Sequence, residues 1–174
     1  PMHGTLWVND PDCLILRDEV PLGEAQALAT VAALSAGSLI FSDSLGRIPV
    51  ERLAILKALL PPLPHPAQHV ELFSESIPGS ACMALEPRAG ANAMGNWWLS
   101  SLFNWTSGSE ELQTELAMPV PGGAWHVFEF WSGSYVLHEA PGQLPATLGP
   151  RCCRLFALRQ VTRGTPQFIG SDIH

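Results

Sequence analysis

Positive charge is scarce in this 174-residue chain: nine Lys and Arg residues stand against sixteen Asp and Glu, only Lys57 is a lysine, and the formal net charge is -7. A phosphate backbone is held by clustered cations, so nucleic acid is excluded as a partner. Charge of either sign is also sparse, at 14% of residues against roughly 25% in an average globular domain, while 47% of the chain is hydrophobic. Disordered and coiled-coil classes are thereby excluded.

Long apolar runs are missing as well. The best stretch, Ala25 to Phe41, is interrupted by Gln26, Thr30, Ser35, Gly37 and Ser38, and a bilayer span needs about 20 consecutive apolar residues. No membrane partner is expected. The N-terminal Pro1-Met2-His3-Gly4 has neither the basic and apolar regions of a signal peptide nor an initiator methionine, and it reads as a cut end. Cysteine is limited to Cys13, Cys82, Cys152 and Cys153, with no C-x-x-C spacing, and a bridge between the adjacent pair would be a strained ring. Free thiols in a reducing compartment are expected, which places the chain in the cytoplasm.

Glycine and proline are plentiful, and their distribution divides the chain. Residues 1–60 hold four of each, whereas 61–174 hold twelve prolines and eleven glycines, and the run Pro61-Pro62-Leu63-Pro64-His65-Pro66 forbids helix at the boundary. Before it, Leu6-Trp7-Val8 reads as a short strand ended by Asn9-Asp10-Pro11-Asp12. A helix follows Pro21 with Ala25, Leu28, Ala29, Ala32 and Ala33 on one face and Gly37 as its stop. A second starts near Pro49, with Leu53, Leu56, Leu59 and Leu60 inward and Glu51, Arg52 and Lys57 solvated.

Beyond the boundary the segments are short and β-rich: 69–75, 82–86, 97–105, 110–118, 125–131, 134–138, 151–159 and 167–171, with twelve of the fourteen aromatic residues among residues 61–174. Trp125 to Trp131 alternates apolar with polar side chains, as a half-buried strand requires. The fold class expected is thus α/β plus all-β. Residues 1–60 carry a βα unit and residues 61–174 an antiparallel β-sandwich. One βα unit cannot close a sheet, so upstream structure is expected.

Asn9-Asp10-Pro11-Asp12-Cys13 is the polar cluster best suited to chemistry, if it stands at the C-terminal end of a strand, where α/β barrels place ligand-binding groups. The plainer alternative is an Asx turn, in which Asp10 or Asp12 caps backbone amides around Pro11. Glycoside hydrolysis needs two carboxylates flanking the scissile bond, and two acids of one turn cannot flank a ring. Asp18, Glu19 and Asp43 are isolated acids of loops. His65 and His69 straddle Pro66, and His126 and His138 could face each other across a hairpin without a third ligand, so no metal site is expected. Trp97, Trp98, Trp105 and Trp131 suit either a sandwich core or a sugar-stacking surface.

The string Met2 to Leu14, the apolar helix Ala25 to Gly37, the turn Phe41-Ser42-Asp43-Ser44-Leu45 and the helix ending Leu59-Leu60-Pro61 resemble the last βα unit of the α-galactosidase-type barrel. The family is the melibiase clan, glycoside hydrolase families 27 and 36. Its N-D-P-D-C or N-D-P-D-M motif matches Asn9 to Cys13, and Trp125 to Gly133 is similar to a strand of the C-terminal β-domain of bacterial members. The resemblance implies the last part of a (β/α)8 barrel followed by a sandwich, acting on α-linked glycosides by a retaining mechanism without metal or cofactor. It places Asp12 and Cys13 in the sugar subsite, with Asn9 and Asp10 shaping the loop. The family's nucleophile and acid/base precede this motif, so neither has a counterpart in this chain. The partners implied are a carbohydrate substrate and the missing N-terminal barrel portion. A non-catalytic carbohydrate-binding module, or a structural domain pairing through Leu6-Trp7-Val8, are the alternatives.

Overall fold

A computed structural model describes residues 3–69, 77, 79–85, 97–139 and 142–169. The first part holds β1 (Cys13–Leu14), α1 (Leu22–Ser35), β2 (Ile40–Phe41), a 3-10 turn at Leu45–Arg47 and α2 (Val50–Ala58). Strands β1 and β2 pair in parallel, Cys13 with Ile40 and Leu14 with Phe41, and α1 makes the crossover. The observed unit is therefore βαβα rather than βα.

The expected strand at Leu6-Trp7-Val8 is not one. Its residues are 69%, 56% and 66% exposed, and only an isolated bridge joins Trp7 to His3. Sheet structure begins only at Cys13, five residues after Val8, where Leu14 and Leu16 find α1 and α2 to bury against.

Helix α1 follows Pro21 as expected, but its buried residues are Ala25, Ala27, Ala29, Thr30 and Leu34, and Leu28 is exposed. The helix touches neighbours on two sides, which widens the stripe beyond a single face. Ala25 and Ala29 meet Leu14, Leu16, Ile48, Ile55 and Leu59, while Ala27 and Leu34 meet Ala81, Phe103, Cys153 and Leu155 of the β-rich part. Ala36, not Gly37, takes the left-handed position at its end, with φ of 51°. On α2, Arg52 is buried rather than solvated, and Leu60 is exposed.

The β-rich part holds β3 (Gln68–His69), β4 (Ser80–Leu85), β5 (Trp97–Asn104), β6 (Leu112–Leu116), β7 (Trp125–Glu129), β8 (Ser134–His138), β9 (Leu144–Leu148) and β10 (Cys152–Gln160). A six-stranded antiparallel sheet runs β3-β4-β5-β10-β7-β8, and β6 pairs with β9 in a second sheet. Side chains of the two sheets interdigitate, Leu116, Ala146 and Leu148 against Leu102, Trp125, Val127, Phe156 and Leu158. This is the layered packing of a sandwich.

Strand β9 was not expected from the sequence, because Pro145 interrupts its pattern. Pro145 is tolerated since β9 has β6 on one side only. Residues 167–169 form loop rather than strand, and 170–171 lie outside the described residues, as do 70–75 and 86 of two expected strands. His126 and His138 do not face each other: His126 pairs with Leu137 and His138 with Trp125, so they point to opposite faces. Trp97 and Trp98 also diverge, Trp97 toward Phe168 at 5.9 Å and Trp98 edge-on to Trp125 at 5.4 Å. No helix among the described residues is long and apolar enough to cross a membrane.

A polar knot ties α1 to the sandwich. Thr30 gives its hydroxyl proton to Gln26 O at 2.8 Å and accepts from the Trp131 indole at 3.0 Å. That single proton is spent, so the Cys153 thiol, 3.3 Å away, is the donor in its contact with Thr30. Nearby, buried Glu129 accepts from the backbone N–H of Trp131, Ser132 and Leu155. Burial pushes the Cys153 thiol up to about 12 from an ordinary 9.0. Below pH 9 the thiol is protonated folded or unfolded; above it the unfolded chain ionises first, so this contribution to stability falls as pH rises from about 9 to about 12. Iodoacetamide at pH 8 is expected to leave Cys153 unmodified in the native chain and to modify it in urea. Rapid native labelling, or an unfolding midpoint that does not fall above pH 9, would contradict this placement.

Candidate functional site

Residues 9–13 form a bulge between two contacts of neighbouring segments. Asn9 O accepts from Ser38 N–H at 3.0 Å, and Cys13 pairs with Ile40. Between these points one segment has only Leu39, whereas the other must fit Asp10, Pro11 and Asp12. The three residues are pushed out of line, and Asp12 turns left-handed, with φ of 66°. The motif thus precedes β1, rather than following a strand as expected.

Asn9 anchors the bulge. Its side-chain amide donates to Ser35 O at 2.9 Å, its backbone N–H donates to His3 Nδ1 at 2.9 Å, and its Oδ1 accepts from the Trp7 indole at 3.1 Å. Asp10 Oδ1 accepts from Asp12 N–H at 3.1 Å, an Asx-type contact, and Asp12 Oδ1 accepts from Cys13 N–H at 2.7 Å. Asp10 and Asp12 are both exposed, and Cys13 is half-buried. Leu14 points into the core under α1, so the strand alternation sends Cys13 to the opposite face. The bulge can therefore offer carboxylate oxygens to hydroxyl donors beside a soft, partly apolar thiol. It cannot supply two carboxylates on either side of a ring.

Two side chains, Asp43 and Arg52, hold the far end of the parallel pair. Asp43, just after β2, has a buried side chain that accepts from Leu16 N–H at 2.6 Å and Arg17 N–H at 3.1 Å, with the Arg17 guanidinium at 3.4 Å. Arg52 Nη1 lies within 3.1, 2.9 and 2.8 Å of the carbonyls of Leu16, Arg17 and Val20, and its Nε is 3.5 Å from Asp18. No local pattern marks these residues, because their partners lie 26 to 36 positions away. Among the described residues, no group of three His, Cys, Asp or Glu side chains could hold a metal ion.

No protein-family model matches the sequence, and no curated protein matches it. Solved structures do share its fold. The β-L-arabinopyranosidase of glycoside hydrolase family 27 from Geobacillus stearothermophilus superposes with a TM-score of 0.66 at 16% identity, over 95% of this chain and 40% of that one. For α-galactosidase I of Mortierella vinacea the TM-score is 0.65 at 12% identity, over 88% and 40%. The α-galactosidase of Saccharomyces cerevisiae, solved with raffinose, gives 0.59 at 13% identity, over 89% and 47%. The class this defines is one of fold: the chain is similar to the C-terminal part of family 27 glycosidases. It spans less than half the length of each of these enzymes.

Proposed function

We propose that the chain is the C-terminal part of a glycoside hydrolase acting on α-linked galactosides or related α-glycosides by a retaining mechanism. Residues 1–60 are then the end of a (β/α)8 barrel and 61–174 its accessory sandwich. The observation that carries this reading is the extent of the fold likeness: cover of 95% must take in both the parallel βαβα part and the sandwich. A carbohydrate-binding sandwich alone would share only the second part.

In this reading Asp12 accepts a hydrogen bond from a sugar hydroxyl and Cys13 packs against the ring, while Asn9 and Asp10 hold the loop. The nucleophile and acid/base come from the missing N-terminal barrel portion, which would also cover the open face and edges of β1 and β2. Neither a metal nor a cofactor takes part. The four free thiols favour the cytoplasm.

Asp12→Asn in the longer polypeptide tests the subsite. A hydrogen bond to a charged group contributes about 1.5–3 kcal/mol, so kcat/KM for a nitrophenyl α-galactoside should fall about 10- to 100-fold. Unchanged hydrolysis would remove Asp12 from the site.

A further inference from the structure

The two sheets of the sandwich differ in width. Strands β6 and β9 cover β5, β10 and β7, whose side chains make the inter-sheet core, but β4 contributes nothing to that core. On the same face of the large sheet, Ser80, Cys82 and Ala84 stand opposite Leu102, Ser100 and Trp98 in register. Over this row opens a cleft of about 870 Å³, within the range of roughly 300–1,000 Å³ common for ligand pockets.

The cleft's depth follows from its floor, where Ser80, Cys82, Ala84 and Ser100 are all small. Trp98 forms one wall, held edge-on by Trp125. Thr114 and Met118 line it from the β6 side, and Gln143 also reaches it. Neither Lys nor Arg is among the described lining residues, and Glu115 is their only carboxylate. An anionic ligand would meet no permanent counter-charge there, only the imidazole of His65 among the described lining residues. A long acyl chain would cover the Thr114 hydroxyl and the Gln143 amide without giving them a hydrogen-bond partner. A neutral ring with both an apolar face and hydroxyls satisfies Trp98 and the polar floor together.

We propose that this cleft binds a neutral saccharide, one ring face on Trp98 and its hydroxyls on Ser100, Thr114 and Gln143. The site uses nothing from residues 9–13, so it stands or falls apart from the proposed sugar subsite at Asp12.

The test is calorimetric titration of the full chain with galactose, melibiose and maltotriose, repeated on Ser100→Phe, which fills the floor, and on Thr114→Leu, which removes a wall hydroxyl. At least one sugar should bind saturably with Kd of about 1 mM or below. Thr114→Leu should weaken it about tenfold, a loss typical of one hydrogen bond to a hydroxyl. Circular dichroism checks that each variant is folded, and Thr114→Leu decides the matter if Ser100→Phe is not. Absence of saturable heat with all three sugars overturns the proposal. So does binding of undiminished affinity in folded Thr114→Leu, which would move the sugar out of the cleft.

Discussion

Replacing Arg52 with methionine is expected to lower the unfolding free energy by about 3 kcal/mol, because methionine keeps the packing but leaves three backbone carbonyls of one turn without their donor. The guanidinium is buried, and all three contacts converge on Nη1, which has two protons for the carbonyls of Leu16, Arg17 and Val20. At least one proton is therefore shared, so the cost is below three separate hydrogen bonds. The exposed Asp18 adds little, since it is 74% accessible and screened by water. Arg52→Lys should recover part of the loss, as an ammonium can reach one or two of these carbonyls but lacks the planar fork. Denaturant unfolding followed by circular dichroism measures both. A loss of less than about 1 kcal/mol for methionine would mean that the turn is held by other contacts.

The second large effect is expected at Gly37. A Cβ built there would lie 2.0 Å from Asn9 O and 2.7 Å from its carbonyl carbon. Backbone cannot swing aside as a rotamer can, so Gly37→Ala must displace the Asn9 segment or the end of α1. A destabilisation of about 3 kcal/mol is the scale of severe overpacking. The displaced residue is the anchor of the bulge, through its contacts to Ser35 O, Ser38 N–H and His3. In the longer polypeptide the same change should therefore reduce kcat/KM for α-galactosides, as is expected of Asp12→Asn, although Gly37 touches no sugar in the proposed site. Full stability and full activity in Gly37→Ala would contradict the close approach.

How well the sequence foretold these features depended on whether the relevant partners were near in sequence. Strand β7 was legible because Trp125 and Val127 alternate with His126, and buried and half-buried positions do alternate along Trp125–Glu129; β8 was legible only as the apolar run Tyr135-Val136-Leu137 between turns. Strand β9 was hidden by Pro145, whose cost vanishes only once its position at the margin of a two-stranded sheet is known. Leu6-Trp7-Val8 misled for the opposite reason: three apolar residues in a row suggest burial, yet no described element packs over them. Arg52 read as surface because arginine usually is, and its carbonyl partners in a preceding turn leave no trace in local spacing. The same holds for Thr30, a polar residue in an apolar helix whose partners Trp131 and Cys153 lie more than 100 positions away.

The candidate loop was conspicuous as Asn9-Asp10-Pro11-Asp12, but its placement was not. Proline and two acids announce a turn; only the pairing of Cys13 with Ile40 and of Asn9 with Ser38 shows that the turn is a bulge set into a parallel pair. Those contacts explain why Asp10 and Asp12 face outward while Leu14 faces the core. In the proposed site, they would let one turn present a sugar-binding edge without two carboxylates flanking the bond.

The central claim is that this chain carries part of a sugar site but none of the reacting carboxylates. Hydrolysis of a nitrophenyl α-galactoside, measured on the 174-residue chain alone and on the polypeptide that includes the sequence upstream of Pro1, tests it most directly. The account predicts no turnover above the uncatalysed rate by the chain alone and clear turnover by the longer polypeptide. Turnover by the chain alone, or inactivity of the longer polypeptide toward every α-glycoside tried, would contradict it.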